Sequence, residues 1–423
     1  MKQKLSRVAG CSRACFLYSF GTALGLVGAG FLGPSARAAV DFRPLATIDV
    51  SHNSNVFARP SDQPPFAGTG NTALGDTITQ YLVGATAEFS WLREKLSLTA
   101  QGSRFDYNRF DQLNHYDSSF GGTLDWRLGT IIDGDVEYRQ SRLMGPTADT
   151  LADQLEIQTE KQGTATARIL ITPRWRFDVK PAWHDLESPL PAFPQFGFKE
   201  TRVTGTLNYV GIDKLTAGLR WDYLDGSFHH IVAATKYRQT TTELVANYAV
   251  TNFSSFDAEA GFTRRNNSLV NPQDAVALGL AAAPEGTNSA FTGALGFRRQ
   301  FSSKTSASVR ILREIDSYVA GANPAVSTGG EVTLKWEPDF RFSFVARYSL
   351  DRQAIQGAVA TSDFTTRSDT ARHAELAVEY HALYWLTFRP YALYDKRTSS
   401  FHDANYAATV AGIQFRAQLQ PLR

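Results

Sequence analysis

The residues of this 423-residue chain that could most readily do chemistry are charged side chains spaced two residues apart. Acidic residues alternate with other types at Asp133, Asp135 and Glu137. Successive side chains of a β-strand point to opposite faces, so residues two apart share a face. The spacing therefore predicts strands with one charged face. Two carboxylates on such a face could hydrolyse a glycosidic bond only at a particular separation, which spacing along a strand does not establish.

We expect these charged faces to line a lumen. The predicted lining residues are Asp133, Asp135, Glu137, Arg139, Arg168, Arg176, Lys180, Arg220, Asp257, Glu259, Arg310, Arg341, Arg347, Glu375, Glu379 and Arg389. One interpretation is a hydrated wall in which opposite charges pair across neighbouring strands. The other is a mixed-charge channel that selects a polar or charged solute, because rings of charge set selectivity.

Metal, cofactor and nucleophile motifs are not evident in the sequence. His229-His230 falls in a predicted loop, and His373 and His381 lie eight residues apart on one predicted strand. A metal site needs three or four converging ligands, and no spacing here supplies them. No G-x-S-x-G motif occurs, and the charge is nearly balanced at +2. We therefore predict no catalytic residue, no cofactor, no metal site and no nucleic-acid partner.

The segments that carry these faces are separated by gaps of alternating length. From about residue 42 to residue 419 the chain contains some eighteen stretches of period-2 patterning. The short gaps are Leu92–Lys95, Gly129–Thr130, Thr172–Arg174, Gly211–Asp213, Thr251–Phe253, Ser302–Lys304, Asp339–Phe340 and Leu383–Trp385. The longer gaps include Asn53–Gly75, Leu143–Asp153, Pro189–Gln195, Leu269–Gly286 and Gln353–Arg367.

This alternation predicts an all-β fold: a transmembrane, antiparallel, up-and-down β-barrel with short periplasmic turns and longer extracellular loops. We count about eighteen strands, and sixteen to twenty fit the same pattern. The last strand, Asn405 to Leu419, is expected to pair with the first, Leu45 to His52, and close the barrel.

Tryptophan placement supports the barrel. Five of the seven tryptophans lie within three residues of a short gap: Trp91, Trp126, Trp175, Trp336 and Trp385. Aromatic residues concentrate at membrane interfaces, because the ring is apolar while an N–H or O–H still meets water. These residues are predicted to form a periplasmic aromatic girdle, in contact with outer-membrane lipid.

The N-terminus has the pattern of a secretion signal. Lys2, Lys4 and Arg7 precede an apolar core over residues 15–33, and Ala36-Arg37-Ala38 is a small-x-small cleavage pattern. We predict a signal peptide over residues 1–38 and a single barrel domain over residues 39–423. The predicted location is the outer membrane of a Gram-negative bacterium.

Two segments resemble a known family. SHNSNVF (Ser51 to Phe57) and YNRFDQLNHYDSSFGGTLDWRLG (Tyr107 to Gly129) are similar to EpsL-type outer-membrane proteins of exopolysaccharide operons, which are grouped with the β-barrel porins. The resemblance implies a part in synthesis or export of a secreted polysaccharide, together with a periplasmic polysaccharide-export protein and an inner-membrane synthesis machine. It implies no catalytic or binding residues.

Three functions follow as hypotheses. The first is an exit channel for the polysaccharide, with Tyr107 and Tyr391 stacking on sugars if they face inward. The second is a porin, either solute-selective or for general diffusion, which would pass small polar solutes. The third is a non-conducting scaffold or adhesin that acts through the external loops.

Overall fold

The computed structural model describes residues 39–62, 73–145, 155–188, 197–228, 235–269, 286–317, 324–355 and 367–419. The predicted signal peptide and His229-His230 lie outside the described residues, as do parts of seven of the longer connections.

The described residues form eighteen strands. They are β1 Ala39–Asn53, β2 Asp76–Trp91, β3 Glu94–Tyr107, β4 His115–Leu128, β5 Ile132–Met144, β6 Ile157–Thr172, β7 Trp175–Glu187, β8 Phe198–Ile212, β9 Leu215–Phe228, β10 Thr235–Thr251, β11 Ser254–Leu269, β12 Gly286–Ser302, β13 Thr305–Ser317, β14 Pro324–Trp336, β15 Phe342–Ile355, β16 Ser368–Leu383, β17 Leu386–Ser399 and β18 Tyr406–Gln418. Two single turns of 3₁₀ helix, Asp111–Leu113 and His402–Ala404, lie in connections. Among the described residues, no helix is long and apolar enough to cross a membrane.

The strands form one closed antiparallel barrel. Each strand pairs with the next along the chain, and β18 pairs with β1 through partners such as Ile48 and Phe415. The predicted eighteen-strand, up-and-down barrel is confirmed, as is the pairing of the first strand with the last. Closure leaves no strand edge unpaired, which is what a barrel in lipid requires.

The first strand is longer than predicted. It begins at Ala39 and not at Leu45, because Ala39 to Pro44 pair with β2 before the pairing with β18 begins. Pro44 has no N–H to give to the ladder, yet its carbonyl accepts a hydrogen bond from the backbone N–H of Leu419 at 3.1 Å.

Connections alternate in length as predicted. All eight short turns fall at the predicted short gaps, and the nine longer connections lie at the other end of the barrel. Leu92, Gly129 and Lys214 have positive φ values of 52°, 65° and 68° in three of the short turns. Positive φ is what tight hairpin turns require, since it matches the twist of the flanking strands.

The two faces of the wall differ in polarity. Large apolar side chains point outward and stay exposed, as at Leu219, Leu244 and Phe262, which are 51%, 68% and 53% exposed. A belt of this kind is not stable in water but suits lipid. Alternate residues on the same strands point inward and are mostly polar, so the described residues form no central apolar core.

A small apolar cluster lies at the long-loop end. Val56 and Phe57 pack there against Phe110 and Leu113. The buried Asp76 carboxylate accepts the backbone N–H groups of Thr77 at 2.7 Å, and of Arg109 and Phe110 at 3.0 Å. These bonds tie the β1–β2 and β3–β4 connections together above the barrel wall.

Candidate functional site: the inward-facing charged wall

Strand register assigns the predicted lining residues to one face. All of them except Arg341 lie on strands, with the parity opposite to that of the exposed apolar side chains. Arg341 is not part of β15, contrary to the prediction from the alternation, but ends the β14–β15 turn; its position on the lumen lining stays a prediction. The Asp339 side chain accepts the N–H groups of Arg341 at 2.7 Å and Phe342 at 3.0 Å, which extends the turn. The Arg341 guanidinium then lies 5.3 Å from the Phe340 ring centroid.

A first group of paired charges, which we call the Arg168 group, lies on β5 and β6. Arg168 donates from Nε to Asp133 at 2.7 Å and from Nη1 to Asp135 at 2.8 Å. Asp133 and Asp135 would otherwise repel each other, so one guanidinium neutralises two carboxylates of the next strand. Arg176 and Asp178 continue this wall on β7, 2.8 Å apart.

A second group, the Arg220 group, spans β9, β10 and β11. Arg220 on β9 reaches Glu243 on β10 at 3.2 Å and Glu259 on β11 at 3.1 Å. Thr292 donates a hydrogen bond to Glu243 at 3.3 Å and shares another with Thr263 at 2.9 Å. A partly enclosed cavity of about 440 Å³ lies against this group.

The lining of that cavity carries both signs of charge. Its charged residues are Arg202, Arg220, Asp222, Glu243, Glu259, Arg310, Arg313 and Glu314. Because Arg220 is only 30% exposed while bound to two carboxylates, the group is a rigid part of the wall with donors and acceptors still reachable from the lumen.

A third group, the Glu375 group, lies on β14 to β17. Glu375 on β16 is paired with Arg347 at 3.1 Å and with Arg389, which also lies 3.6 Å from Glu379. Glu331 lies 3.8 Å from Arg347 and extends the group to β14. Glu375 is only 8% exposed, so its two cationic partners balance a nearly buried carboxylate.

Other predicted lining residues are not brought into these groups. Glu137, Arg139, Lys180, Asp257 and Arg310 form no ion pair with any residue in the described ranges. Asp257 instead lies over Gly296, where an added Cβ would come within 2.2 Å of the carboxylate. These side chains leave charge on the inward face that no ion pair among the described residues neutralises.

Sequence reasoning missed several members of the wall, among them Glu243 and Asp49. Glu243 is a single acidic residue in a run of threonines and apolar residues, and the two-residue spacing that marked the other carboxylates is absent around it. Asp49 is 6% exposed and accepts hydrogen bonds from Tyr391 at 2.8 Å and Gln414 at 3.4 Å. The signal for both residues was strand parity alone.

The two tyrosines predicted as sugar-stacking residues are committed to other contacts. Tyr391 faces inward, but its hydroxyl donates to Asp49 and its ring lies against Gly412, where an added Cβ would be 2.7 Å away. The Tyr107 side chain packs against the apolar cluster at the long-loop end, with its hydroxyl 3.8 Å from the Met144 sulfur. Neither ring is a free platform.

The described inward side chains do not bridge the barrel. The hydrogen bonds and ion pairs found between them join strands at most two apart, as for Arg220 with Glu259 and Tyr391 with Asp49. A barrel of eighteen strands is wide enough to leave an aqueous interior unless loops fill it.

The predicted girdle residues all lie at the short-turn end. Trp91 ends β2, Trp175 begins β7, Trp336 ends β14, Trp126 is near the end of β4, and Trp385 is in the β16–β17 turn. Further aromatic residues join them in pairs with ring centroids about 5 Å apart: Trp175 and Tyr209, Trp336 and Phe344, Phe342 and Tyr380, and Phe388 and Phe415. Their role at a membrane interface stays a prediction.

The described residues offer no cluster of metal ligands. No group of three or more His, Cys, Asp or Glu residues that could hold a metal ion occurs within the described parts of the chain. His373 and His381 both lie on β16, and His373 is hydrogen-bonded to Asp395 at 2.5 Å.

Comparison with known proteins identifies no family. No family model and no curated protein matches this chain, and the EpsL-type resemblance is therefore not supported. Among solved structures, the chain is similar to Pseudomonas aeruginosa OccK9 (OpdG), with 12% identity, a TM-score of 0.49, and coverage of 90% of this chain and 98% of that one.

Two further solved structures are similar at the same level. Pseudomonas aeruginosa OpdK, solved with vanillate, has 12% identity, a TM-score of 0.46 and coverage of 89% and 99%. The FrpB iron transporter from Neisseria meningitidis has 10% identity, a TM-score of 0.47 and coverage of 84% and 62%. Neither identity nor TM-score is high enough for these neighbours to indicate a substrate of this chain.

Proposed function

We propose that this protein is a solute-selective diffusion channel of a Gram-negative outer membrane, which passes small polar or charged solutes. The observation that carries the proposal is the inward wall, where both signs of charge are held at fixed positions while the outward face of the same strands is apolar. A wall of this kind offers a hydrated path through lipid, with a field that differs for solutes of different charge.

The energetics of the charge groups favour a role in permeation over a role in stability. Arg168 and its partners Asp133 and Asp135 are 26–43% exposed to the lumen, and ion pairs that water can reach contribute only about 0–1 kcal/mol. Arg139, Lys180 and Arg310, which form no ion pair with a described residue, contribute less still to folding. Their common position on the inward face is better explained by contact with a passing solute.

Polysaccharide export has less support. A long glycan would need free inward aromatic rings on which its sugars could slide, and both tyrosines considered for this are already engaged by the wall. No observation on the described residues favours a periplasmic export partner. The described residues contain no constellation that supports enzymatic activity, and the absence of such activity stays a prediction.

The test is a vesicle-swelling assay with the purified full-length protein. Small solutes of equal size that carry positive, negative, both or no charges would be compared, with a long dextran as the polymer control. We expect swelling with small solutes at rates that depend on charge, and none with dextran. Equal rates for all charges would contradict solute selectivity.

A deletion strain separates the two hypotheses in the cell. Unchanged secretion of polysaccharide is expected after in-frame deletion of the gene. Loss of polysaccharide outside the cell with accumulation in the periplasm, restored by the intact gene, would instead establish the exit-channel hypothesis and overturn the proposal.

A further inference from the structure

An apolar groove lies on the outward face of β7 to β11. Its volume is about 560 Å³ and its surface is almost entirely carbon. The floor is a row of alanines on three successive strands, Ala217, Ala246 and Ala258, which are register partners in turn. Leu219 and Leu244 border the floor on one side. The alanines are short where their neighbours are long, so the wall is concave here.

One end of the groove opens at the short-turn level. Trp175 and Tyr209 form that end, as register partners with ring centroids 5.0 Å apart at 66°. Trp175 is the first residue of β7, whereas Ala217 is the third of β9 and Ala258 the fifth of β11. The groove therefore climbs from the aromatic level into the apolar belt as it crosses the strands.

A basic side chain, Arg174, lies at the open end, and a second basic residue, Lys214, follows in the β8–β9 turn. An added Cβ on Gly211 would be 2.9 Å from the Arg174 Cγ and 2.8 Å from the Tyr209 hydroxyl, so these two side chains lie side by side. Lys214 is in the β8–β9 turn, and its backbone carbonyl accepts a hydrogen bond from the N–H of Ala249 at 2.8 Å. Neither Arg174 nor Lys214 forms an ion pair with a described residue, and Asp213 is the acidic neighbour of Lys214.

We propose that this groove binds one glycerophospholipid of the membrane leaflet at the short-turn end. The phosphate is held by Arg174 and Lys214, and one acyl chain lies along the alanine floor. A guanidinium is well suited to phosphate, because its N–H groups donate in a fixed fork. Trp175 and Tyr209 then lie at the depth of the lipid glycerol, which is where such rings concentrate.

The acyl chain is selected by shape. Bulk lipid and the groove are both apolar, so the hydrophobic effect does not favour moving a lipid tail from one to the other. The preference of the tail for the groove comes from van der Waals contact with a concave surface. Leucine in place of alanine on the floor would remove that contact. The proposal does not depend on which solute crosses the lumen.

Native mass spectrometry of the full-length protein released from detergent tests the proposal. The probe is phosphatidylglycerol, with diacylglycerol as the lipid that lacks phosphate. The groove variants are Ala246→Leu and Arg174→Gln. The matched controls are Ala346→Leu, at an outward alanine of β15, and Arg93→Gln, at the β2–β3 turn.

We expect the unaltered protein to retain one phosphatidylglycerol per chain and to retain diacylglycerol much less. Ala246→Leu should lose the bound lipid, and Arg174→Gln should weaken retention about tenfold, as for loss of a charge-assisted hydrogen bond. Both controls should behave as the unaltered protein. Ala217→Val fills less of the floor and serves if Ala246→Leu fails to fold, as judged by circular dichroism.

Three outcomes would overturn the proposal. The first is equal retention by the groove variants and the controls, and the second is equal retention of the two lipids. The third is a change of oligomeric state in Ala246→Leu, measured by light scattering, with lipid retention unchanged. In that case a second copy of the chain covers the groove.

Discussion

The two faces of β9 to β11 show how one stretch of wall serves two surroundings. Ala258 forms the floor of the outward groove, while the next residue, Glu259, is paired with Arg220 inside the barrel at 3.1 Å. The outward face offers a concave apolar surface without hydrogen bonds or ion pairs, whereas the inward face carries hydrogen bonds and ion pairs at fixed distances. The backbone ladder between them satisfies its own hydrogen bonds, so each face is free to follow its surroundings.

This comparison also separates two kinds of specificity. Outside, a tail of lipid is distinguished only by how closely it fits against the alanines. Inside, a solute meets carboxylates, guanidinium groups and hydroxyls whose positions are fixed by neighbouring strands, as in the Arg220 group. Substitutions that exchange the character of the two faces should therefore have unequal effects.

The largest effect is expected from a charge placed on the wrong face. Leu244 and Val245 are neighbours on β10, with Leu244 outward and 68% exposed. Leu244→Arg should lower the free energy of unfolding in lipid vesicles by about 2–4 kcal/mol, because a cation then faces hydrocarbon. Val245→Arg adds the same side chain to the lumen and should change it by less than about 1 kcal/mol. Equal losses in urea-induced unfolding would contradict the assignment of the faces.

An intermediate effect is expected from removal of the bridging cation. Arg220→Gln leaves Glu243, with a side chain only 12% exposed, without its cation. The free energy of unfolding should fall by about 1–3 kcal/mol, and the channel should become more selective for cations. The control is Arg310→Gln on the same cavity wall, where no ion pair with a described residue is lost. It should shift selectivity in the same direction with little loss of stability.

The smallest effect is expected from hydroxyl groups. Thr263 is 2% exposed on the inward face and shares hydrogen bonds of 2.9 Å with Thr241 and Thr292. Thr263→Val should cost about 1 kcal/mol, since the shape is kept and the bonds are lost. Thr242→Val, on the outward face of β10, should be neutral or slightly stabilising. The measurement is the thermal unfolding temperature of both variants in matched vesicles. A lower unfolding temperature for Thr242→Val than for Thr263→Val would contradict the assignment of the two faces.

The sequence predicted which side chains share a face and where the short turns lie, because both depend only on residues close together in the chain. Alternation assigned Glu259 and Arg220 to the same side, and the gaps located every short turn. Alternation could not predict the ion pair between Glu259 and Arg220. The two residues lie on strands two apart, and their contact depends on the register of both intervening strand pairs. Register follows from turn geometry, which a gap length does not specify.

The errors have the same origin. Arg341 was assigned to a strand because its parity fitted, whereas the Asp339 side chain holds it in a longer turn. The hydrogen bond between Asp49 and Tyr391 joins residues 342 positions apart, where the first and last strands close the barrel, so no local sequence pattern predicts it. The alanine groove was missed because concavity needs three strands side by side.

Planar-bilayer recording of the purified full-length protein in a potassium chloride gradient tests the central claim most directly. The claim is that the inward charges line an open, charge-sensing path. We expect discrete conductance steps, with a reversal potential that moves toward cation selectivity in Arg220→Gln and toward anion selectivity in Glu259→Gln. Folded protein that inserts but does not conduct, or reversal potentials identical in all three proteins, would contradict it.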